Sequence, residues 1–144
     1  MTKFSDAFDL TYVDDKGEKQ KVIMGSYGIG PGRVMGTIVE LLADEKGIVW
    51  PESIAPFKVH LLSFKQDEKA KEIYDALTAK GVEVLFYFRD VSIGVKLNDA
   101  DLLGMPHRVL ITEKSLAAGG VEYKKRTAGE AEILSIEACI ARFS

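Results

Sequence analysis

The glycine-rich segment Gly28-Ile29-Gly30-Pro31-Gly32-Arg33 has the clearest potential for ligand binding. Its glycines let a ligand approach the backbone closely, and the helical spacing that follows predicts a helix whose amino terminus attracts anions. Arg33, in the first turn of that helix, opposes the helix dipole unless an anion neutralises both. The segment is neither a dinucleotide fingerprint nor a P-loop, because Arg33 replaces the third glycine and no Gly-Lys-Ser/Thr follows. A plain glycine turn between a hairpin and a helix carries about equal weight.

A second group of polar side chains follows a predicted strand, where α/β sheets usually bind ligands. Arg89 and Lys96 can donate hydrogen bonds to guanine edges or to phosphate, and Asp90, Asp99 and Asp101 can accept them from base amino groups. Composition alone favours, by about two to one, a solvated loop in which Asn98 or Asp99 caps a helix.

Other titratable groups give no catalytic pattern. His60 lies within a predicted strand and His107 just before one, and neither has a Ser or Cys nucleophile at a suggestive spacing. The adjacent carboxylates of Asp14 and Asp15 lie in a turn, without the apolar surroundings that raise a carboxyl pKa. Both histidines are therefore interpreted as structural, and hydrolysis is not indicated.

The composition suits one globular domain without bulk affinity for polyanions. The chain has 144 residues, of which 47% are hydrophobic, and its net charge is -3 from 19 Lys and Arg against 22 Asp and Glu. A polyanionic partner therefore needs a local basic patch, for which the candidates are Arg108, Lys114, Lys124, Lys125 and Arg126. The single Cys139 forms no internal disulfide, and with two histidines the chain cannot fill a Cys/His zinc site.

Membrane insertion and export are not predicted. No stretch approaches the roughly 20 apolar residues that span a bilayer, and the first ten residues carry charges instead of an apolar signal core. These features predict a cytoplasmic protein with no membrane partner and no metal site.

Hydrophobic periodicity predicts a hairpin, a glycine loop and a helix, followed by an α/β unit. The hairpin pairs residues 8–14 with 21–27, the helix runs from Val34 towards Gly47, and residues 50–56 form an irregular connector. Strands are expected at 57–64, 82–88, 109–112 and 121–125, and helical segments at 67–80, 98–104 and 115–120. Residues 131–143 should start extended and finish as a helix with Ile136, Cys139 and Ile140 inward.

Several motifs in one order resemble prolyl-tRNA synthetase, a class II aminoacyl-tRNA synthetase. They are Val22 to Arg33, Gly47-Ile48-Val49-Trp50-Pro51, Ile54-Ala55-Pro56, Arg89-Asp90, Gly94-Val95-Lys96 and Asp99 to Pro106. The resemblance covers the C-terminal part of such an enzyme. It implies that residues 1–50 are a β-hairpin, glycine-loop and helix remnant of the catalytic domain, containing motif 3. Residues 51–144 would form an anticodon-binding domain, with a mixed five-stranded sheet flanked by helices.

The resemblance also implies roles for the glycine segment. In this family the enzyme activates proline with ATP and Mg²⁺ and then transfers the prolyl group to the terminal ribose of the tRNA. Gly28 and Gly30 would line the adenosine site, and Arg33 would contact the nucleotide phosphates. Motif 1, motif 2 and the proline pocket would lie upstream of Met1. The chain alone is therefore expected neither to form the adenylate nor to bind ATP tightly.

For the second group of residues, the resemblance implies recognition of tRNA(Pro), whose anticodons carry two adjacent guanines. Arg89 and Lys96 would contact the guanines, while Asp90, Asp99 and Asp101 would accept hydrogen bonds from them or orient the basic pair.

The sequence departs from the family pattern in both places. Where the family resembles Asp-Asp-Arg-Asp-Glu-Arg before Gly-Val-Lys, this chain has Tyr87, Phe88, Arg89, Asp90, Val91 and Ser92. One of the two aromatic residues could stack an anticodon base, or both could simply extend the strand. Pro31-Gly32 also replaces the Val-Ser that is common in motif 3.

Three hypotheses follow. The leading one is a C-terminal fragment of a prolyl-tRNA synthetase that binds the anticodon and supports ligation only with the upstream catalytic part. The second is a stand-alone or repurposed module that binds RNA or protein, which the altered segment 87–92 favours. The third, a small nucleotide-binding protein, ranks lowest because half a pocket rarely holds ATP. Residues 1–50 should also expose an apolar face that packs on the catalytic domain or on a homodimer partner.

Overall fold

The computed structural model describes residues 1–143, and the chain divides into two compact units, Met1–Val34 and Met35–Ser144. The helices are α1 (Lys3–Ala7), α2 (Pro31–Leu42), α3 (Asp67–Thr78), α4 (Ile93–Leu103), α5 (Glu113–Ala117) and α6 (Ile136–Ala141). The strands are β1 (Thr11–Val13), β2 (Lys19–Lys21), β3 (Val59–Ser63), β4 (Val84–Tyr87), β5 (His107–Ile111), β6 (Val121–Lys125) and β7 (Glu132–Leu134).

The first unit contains the predicted hairpin, but with a different second strand. β1 pairs with β2 so that Val13 faces Lys19, and residues 22–30 form no strand. The tight turn sets this register, because the Asp14 carboxylate accepts hydrogen bonds from the backbone of Lys16 and Glu18 while Gly17 adopts a φ of 80°. The prediction that residues 21–27 form the second strand is therefore wrong.

Several large apolar side chains of the first unit are exposed. Phe8, Ile23, Tyr27 and Ile29 are each at least three-quarters accessible. The apolar exposure expected for residues 1–50 is thus present in this unit, while the oligomer inferred from it stays a prediction.

The second unit contains the mixed five-stranded sheet, in the order β4-β3-β5-β6-β7. β3 is parallel to β4 and β5, and the remaining pairs are antiparallel. Every residue of β3 is buried because this strand lies between two others and beneath helices on both faces. The predicted α/β fold, with helices flanking a mixed sheet, is confirmed.

Two apolar clusters cover opposite faces of this sheet, since alternate residues of β3 enter different clusters. Val59 and Leu61 pack with α3, α5 and α6, and Cys139 and Phe143 complete this larger core. Leu62 packs instead with residues of β4, α4 and β5 in the smaller cluster, here called the α4-side core: Tyr87, Val91, Ile93, Leu97, Ala100 and Leu110.

Helix α4 begins five residues earlier than predicted. The Ser92 hydroxyl caps it by accepting a hydrogen bond from the Val95 amide, and Gly104 ends it in the left-handed conformation. The sequence pattern concealed the start because Ile93, Gly94 and Val95 have weak helix propensity. The helix forms nonetheless, since tertiary packing buries its Lys96 and Ala100 side chains.

The carboxyl end of α4 is joined by backbone hydrogen bonds to the connector before β3. Ile48 donates to the Leu102 carbonyl at 3.0 Å, and Trp50 donates to the Gly104 carbonyl at 3.2 Å. A Cβ atom at Gly104 would lie 1.8 Å from the Ile48 carbonyl oxygen. Only glycine fits at this crossing, which also requires its φ of 70°.

His60 is buried in the face of the sheet that α4 covers, as expected for a structural histidine. Its ring nitrogens have no hydrogen-bond partner among the described residues, and it stacks on Tyr87 with ring centroids 6.0 Å apart. Burial, together with the nearby charge of Arg108 and against the opposing charge of Asp99, lowers the pKa of His60 to about 4.

No helix within residues 1–143 is long and apolar enough to cross a membrane.

Substitution of Gly104 by alanine should destabilise the chain by on the order of 4 kcal/mol, because the new Cβ collides with backbone that cannot move aside. Gly81 is the matched control, since its φ is 77° but nothing lies within 4 Å of a Cβ there. Gly81→Ala should cost only about 1–2 kcal/mol. Urea unfolding measures both, and equal losses would contradict the steric argument.

Stability should also fall as the pH drops from about 6.5 to about 4, because the unfolded chain protonates His60 while the folded chain resists it. The His60 contribution to this loss should be about 2–3 kcal/mol. His60→Leu should remove that contribution and leave stability at pH 7 unchanged or higher, since the buried ring nitrogens have no partner. Urea unfolding between pH 7 and 4.5 tests this, and an unchanged pH slope in the variant would refute it.

Candidate functional site

The carboxyl ends of the three parallel strands form the best-placed edge for ligand binding. Helix α3 leaves β3 on one face of the sheet and leads to β4, whereas α4 lies on the other face and leads to β5 on the opposite side of β3, so the order in which strands are added reverses between β3 and β5. Ligands of open α/β sheets commonly bind outside such a reversal. The residues that follow the strands here are Phe64, Phe88 and Thr112.

Arg89 lies at this edge, where Tyr87 and Asp99 orient its guanidinium. Its Nη1 donates to the Tyr87 hydroxyl at 3.3 Å and lies 3.5 Å from Asp99 Oδ2, while Tyr87 itself donates to that carboxylate at 2.5 Å. The hydrogen bond to Asp99 raises the pKa of Tyr87, and desolvation adds to the shift. The Arg89 side chain remains 64% exposed. Its guanidinium is thus oriented by two partners but still accessible to a ligand.

Phe88 lies beside Arg89 and is 82% exposed, whereas Tyr87 is buried in the α4-side core. Of the two aromatic residues considered for stacking, Tyr87 extends the buried strand and only Phe88 is accessible to a base. We call Tyr87, Phe88, Arg89 and Asp99 together the Arg89 site.

Lys96 is buried beneath the Arg89 site. Its ammonium donates to the Ser63 carbonyl oxygen at 2.8 Å and lies 5.4 Å from the centroid of the Tyr87 ring. In this structure the side chain ties α4 to the end of β3, and contact with a base requires the ammonium to leave Ser63. Sequence reasoning missed this burial because a lysine after Gly-Val has no signal that distinguishes a tether from a surface cation.

The two remaining acidic candidates are not among the described groups that orient Arg89, which are Tyr87 and Asp99. Asp101 is further along α4, where its carboxylate lies 3.4 Å from Arg108 Nη1. Asp90 is exposed in the loop before α4. The structure therefore brings together Arg89 and Asp99, with Lys96 beneath them. Base contacts by Arg89, Asp90, Lys96, Asp99 and Asp101 stay predictions.

The predicted basic patch is largely neutralised by acidic partners. Arg126 forms a bidentate ion pair with Asp44, which holds the pKa of the Asp44 carboxyl well below its usual range. Lys125 pairs with Glu52, and Arg108 lies near both Asp101 and Glu122. These residues form alternating charges instead of a continuous cationic surface.

His107 lies at the opposite end of the sheet. Its Nδ1 shares a hydrogen bond with the Tyr123 hydroxyl at 2.8 Å, and its Nε2 lies 3.3 Å from the Glu52 carboxylate. Burial lowers its pKa, although Glu52 opposes the shift. Both ring nitrogens of His107 have partners and the ring packs against Phe143. These contacts are those of a structural histidine.

The glycine segment of the first unit has open space above its backbone. Gly28 and Gly30 are exposed, and a Cβ at Gly28 would meet no atom within 4 Å. Arg33 lies in the first turn of α2, which contains no acidic residue. These features fit one side of a nucleotide site, with accessible backbone and a cation for a phosphate. No group of three or more potential metal-ligating side chains occurs within residues 1–143.

Comparison with known proteins identifies the second unit. The family model described as "Anticodon binding domain" matches residues 53–144. A proline–tRNA ligase of Dehalococcoides mccartyi is 42% identical over 98% of this chain, and one of Afipia carboxidovorans is 44% identical over 99% of it. The proline–tRNA ligase of Caldicellulosiruptor saccharolyticus is 44% identical over 96%.

The chain spans only 26%, 33% and 25% of these three relatives, respectively. The similarity corresponds to their C-terminal region, as the resemblance predicted. The chain therefore belongs to the anticodon binding domain family, and its relatives are proline–tRNA ligases.

Proposed function

We propose that this chain binds the anticodon loop of tRNA(Pro) at the Arg89 site. The observation that carries the proposal is an accessible guanidinium, held by Tyr87 and Asp99, directly beside an exposed phenylalanine. A planar cation beside an aromatic face is suited to an unstacked guanine, whose edge accepts two hydrogen bonds.

Each member of the site has a distinct task in this proposal. Arg89 donates to guanine O6 and N7, and its orientation by Tyr87 and Asp99 reduces the entropy lost on binding. Phe88 stacks on a base, which contributes about 1–3 kcal/mol. Lys96 supports the Tyr87 ring from below and fixes the amino-terminal half of α4, so it acts as a positioning residue.

Ligation of proline to tRNA requires a catalytic part in addition to residues 1–144. In the proposed setting, a cytoplasmic proline–tRNA ligase, an upstream catalytic part supplies the substrate pocket. Gly28 and Gly30 give the nucleotide access to the backbone there, and Arg33 contacts its phosphates. The exposed apolar residues of the first unit fit a packing partner, either that catalytic part or a second copy.

One observation favours a second candidate, a binding module without a role in ligation. Phe88 exposes a large apolar ring where the family pattern resembles an acidic residue. An exposed aromatic ring can stack on any base or anchor a protein partner. This candidate predicts binding that does not depend on the anticodon guanines.

The first test is binding of tRNA(Pro), compared with the same tRNA in which both anticodon guanines are replaced, at one fixed salt concentration. The chain should prefer the natural anticodon, and Arg89→Ala should abolish the preference by weakening the natural complex about 10-fold or more. Phe88→Ala should weaken both complexes, because stacking is tolerant of base identity. Fluorescence anisotropy measures these affinities.

Lys71→Ala is the matched control, since this exposed lysine on α3 is paired only with Asp75 at the surface. It removes the same unit of charge and should leave the preference intact. Equal binding of both tRNAs by the parent chain would favour the second candidate, and absence of binding would refute anticodon recognition.

ATP should not bind the isolated chain tightly, because its glycine segment supplies only one side of a nucleotide site. Calorimetric titration with ATP and Mg²⁺ should show no saturation below about 1 mM. Saturable binding that disappears in Arg33→Ala would contradict this expectation and would support the nucleotide-binding hypothesis.

A further inference from the structure

We propose that a cavity at the amino ends of the parallel strands binds an organic carboxylate, that is, one carboxylate group carried on an apolar body. The cavity has a volume of about 720 Å³, within the range of sites that bind small ligands. His107, Tyr123 and Phe143 form its floor. It lies at the other end of the sheet from the Arg89 site, so this binding goes beyond the proposed recognition of RNA. We call it the His107 cavity.

The cavity forms where four parts of the second unit meet. His107 begins β5 and pairs with Lys125, the last residue of the antiparallel strand β6. Lys58 immediately precedes β3, the neighbour of β5 on its other side. Glu52 belongs to the connector before β3, and Phe143 follows α6. The sheet and the end of α6 therefore fix the positions of the lining groups.

The floor is a cluster of three buried aromatic rings. The His107 ring stacks on Tyr123 with centroids 5.8 Å apart, and Phe143 meets His107 edge-on at 5.0 Å. Rings packed in this way offer a fixed apolar surface. Ala128 and Ala131, between β6 and β7, are exposed and add their methyl groups to the wall. A ligand with an apolar body can contact both surfaces.

Lys58 supplies a cation that the described chain leaves without a counter-charge. It is half-buried, and its Nζ lies 5.8 Å from the centroid of the Phe143 ring. Among residues 1–143 its ammonium forms no ion pair with a carboxylate. A partly buried charge without a partner is costly. An anion that enters the cavity would offset this cost.

The charges around His107 indicate that the anion is a carboxylate placed beside Glu52. The Glu52 carboxylate lies 3.3 Å from both His107 Nε2 and Lys125 Nζ, so one acid serves two partners. The charges of Lys58 and Lys125 both act to lower the pKa of His107, which shows that the two cations lie near the same ring. A second carboxylate would pair with Lys58 and balance the two cations with two acids.

The rim of the cavity disfavours a phosphate. Glu52, Glu130 and Glu132 all line it and are exposed, and their charges repel a doubly charged anion more strongly than a single carboxylate. Arg142 is already paired with Glu132 and stacks over Tyr123, with its guanidinium 4.4 Å from the ring centroid. An inorganic ion would also leave the apolar floor and wall without a contact.

The test is a proton NMR titration of the full chain at neutral pH. The chain has only two histidines, so each imidazole can be followed separately, and His60→Leu assigns the two signals. Benzoate should shift the His107 signal saturably and leave that of His60, on the face covered by α4, in place. Benzamide has the ring without the charge and acetate the charge without the ring. Each should bind about 5-fold or more weakly than benzoate.

Variants of the lining test the roles of the charges. Lys58→Met removes the ammonium but keeps an unbranched stem over Phe143, so the urea midpoint should hold while the benzoate affinity falls about 10-fold. Lys58→Arg should restore binding. Glu52→Gln removes a repelling charge and releases Lys125, so it should strengthen binding about 3-fold. Lys71→Met, on the surface of α3, controls for loss of a lysine charge and should bind benzoate like the parent.

A second probe distinguishes the source of the carboxylate. The peptide acetyl-Ala-Glu-Leu-Ala-amide carries the same group on an acidic side chain. If it binds more tightly than benzoate, the natural ligand is a segment of a protein. If benzoate binds at least as tightly, the ligand is a small organic acid.

Four results would each overturn the proposal. They are the absence of a saturable His107 shift with both benzoate and the peptide, equal binding of benzoate and benzamide, parent-like binding by Lys58→Met, and competition by inorganic phosphate as effective as by benzoate. The last result would show a simple anion site. None of these results bears on the preference for the natural anticodon, so failure here is separate from failure of the proposed function.

Discussion

The hydrogen bond from the buried Lys96 ammonium to the Ser63 carbonyl is the contact on which the candidate site most depends. A buried charge is costly unless it is well partnered, and here the carbonyl and the face of Tyr87 surround it. The bond joins α4 to the end of β3, and the loop that carries Arg89 leads directly into α4. Because Tyr87 rests on Lys96 and binds Asp99, one interaction supports the positions of the guanidinium and of both groups that orient it.

The sheet topology explains why this edge can serve a ligand. The faces differ in cover, because α3, α5 and α6 pack on one while α4 alone packs on the other. A single covering helix leaves a groove beside it, lined by Phe64, Ile93, Leu97 and Leu110 among others. Elsewhere the cations mostly meet acids, as Arg126 meets Asp44 and Lys125 meets Glu52. With a net charge of -3, affinity for RNA must come from a few placed side chains.

The sequence predicted the order of elements in the second unit because its buried strands are short apolar runs and α3 has a clear apolar face between Asp67 and Gly81. It could not locate the start of α4, where a single hydroxyl, that of Ser92, outweighs three residues of weak helix propensity. It also could not predict the burial of Lys96, since the partner carbonyl lies 33 residues away in the chain. The position after a predicted strand singled out Arg89 and Asp99 and the resemblance implied their role, but their contact through Tyr87 is visible only in the structure.

The four departures from the family pattern within residues 87–92 have unequal consequences. Ser92 caps α4 and Val91 packs against the α4-side core, so both have structural explanations. Tyr87 is also internal, and its hydroxyl binds the carboxylate of Asp99 beside Arg89. Phe88 is the one large apolar side chain of the four that is exposed, so it buries little apolar surface on folding. We therefore expect any change in recognition relative to the family pattern to arise from Phe88, because the other three residues cap α4, pack in the core or bind Asp99 beside Arg89.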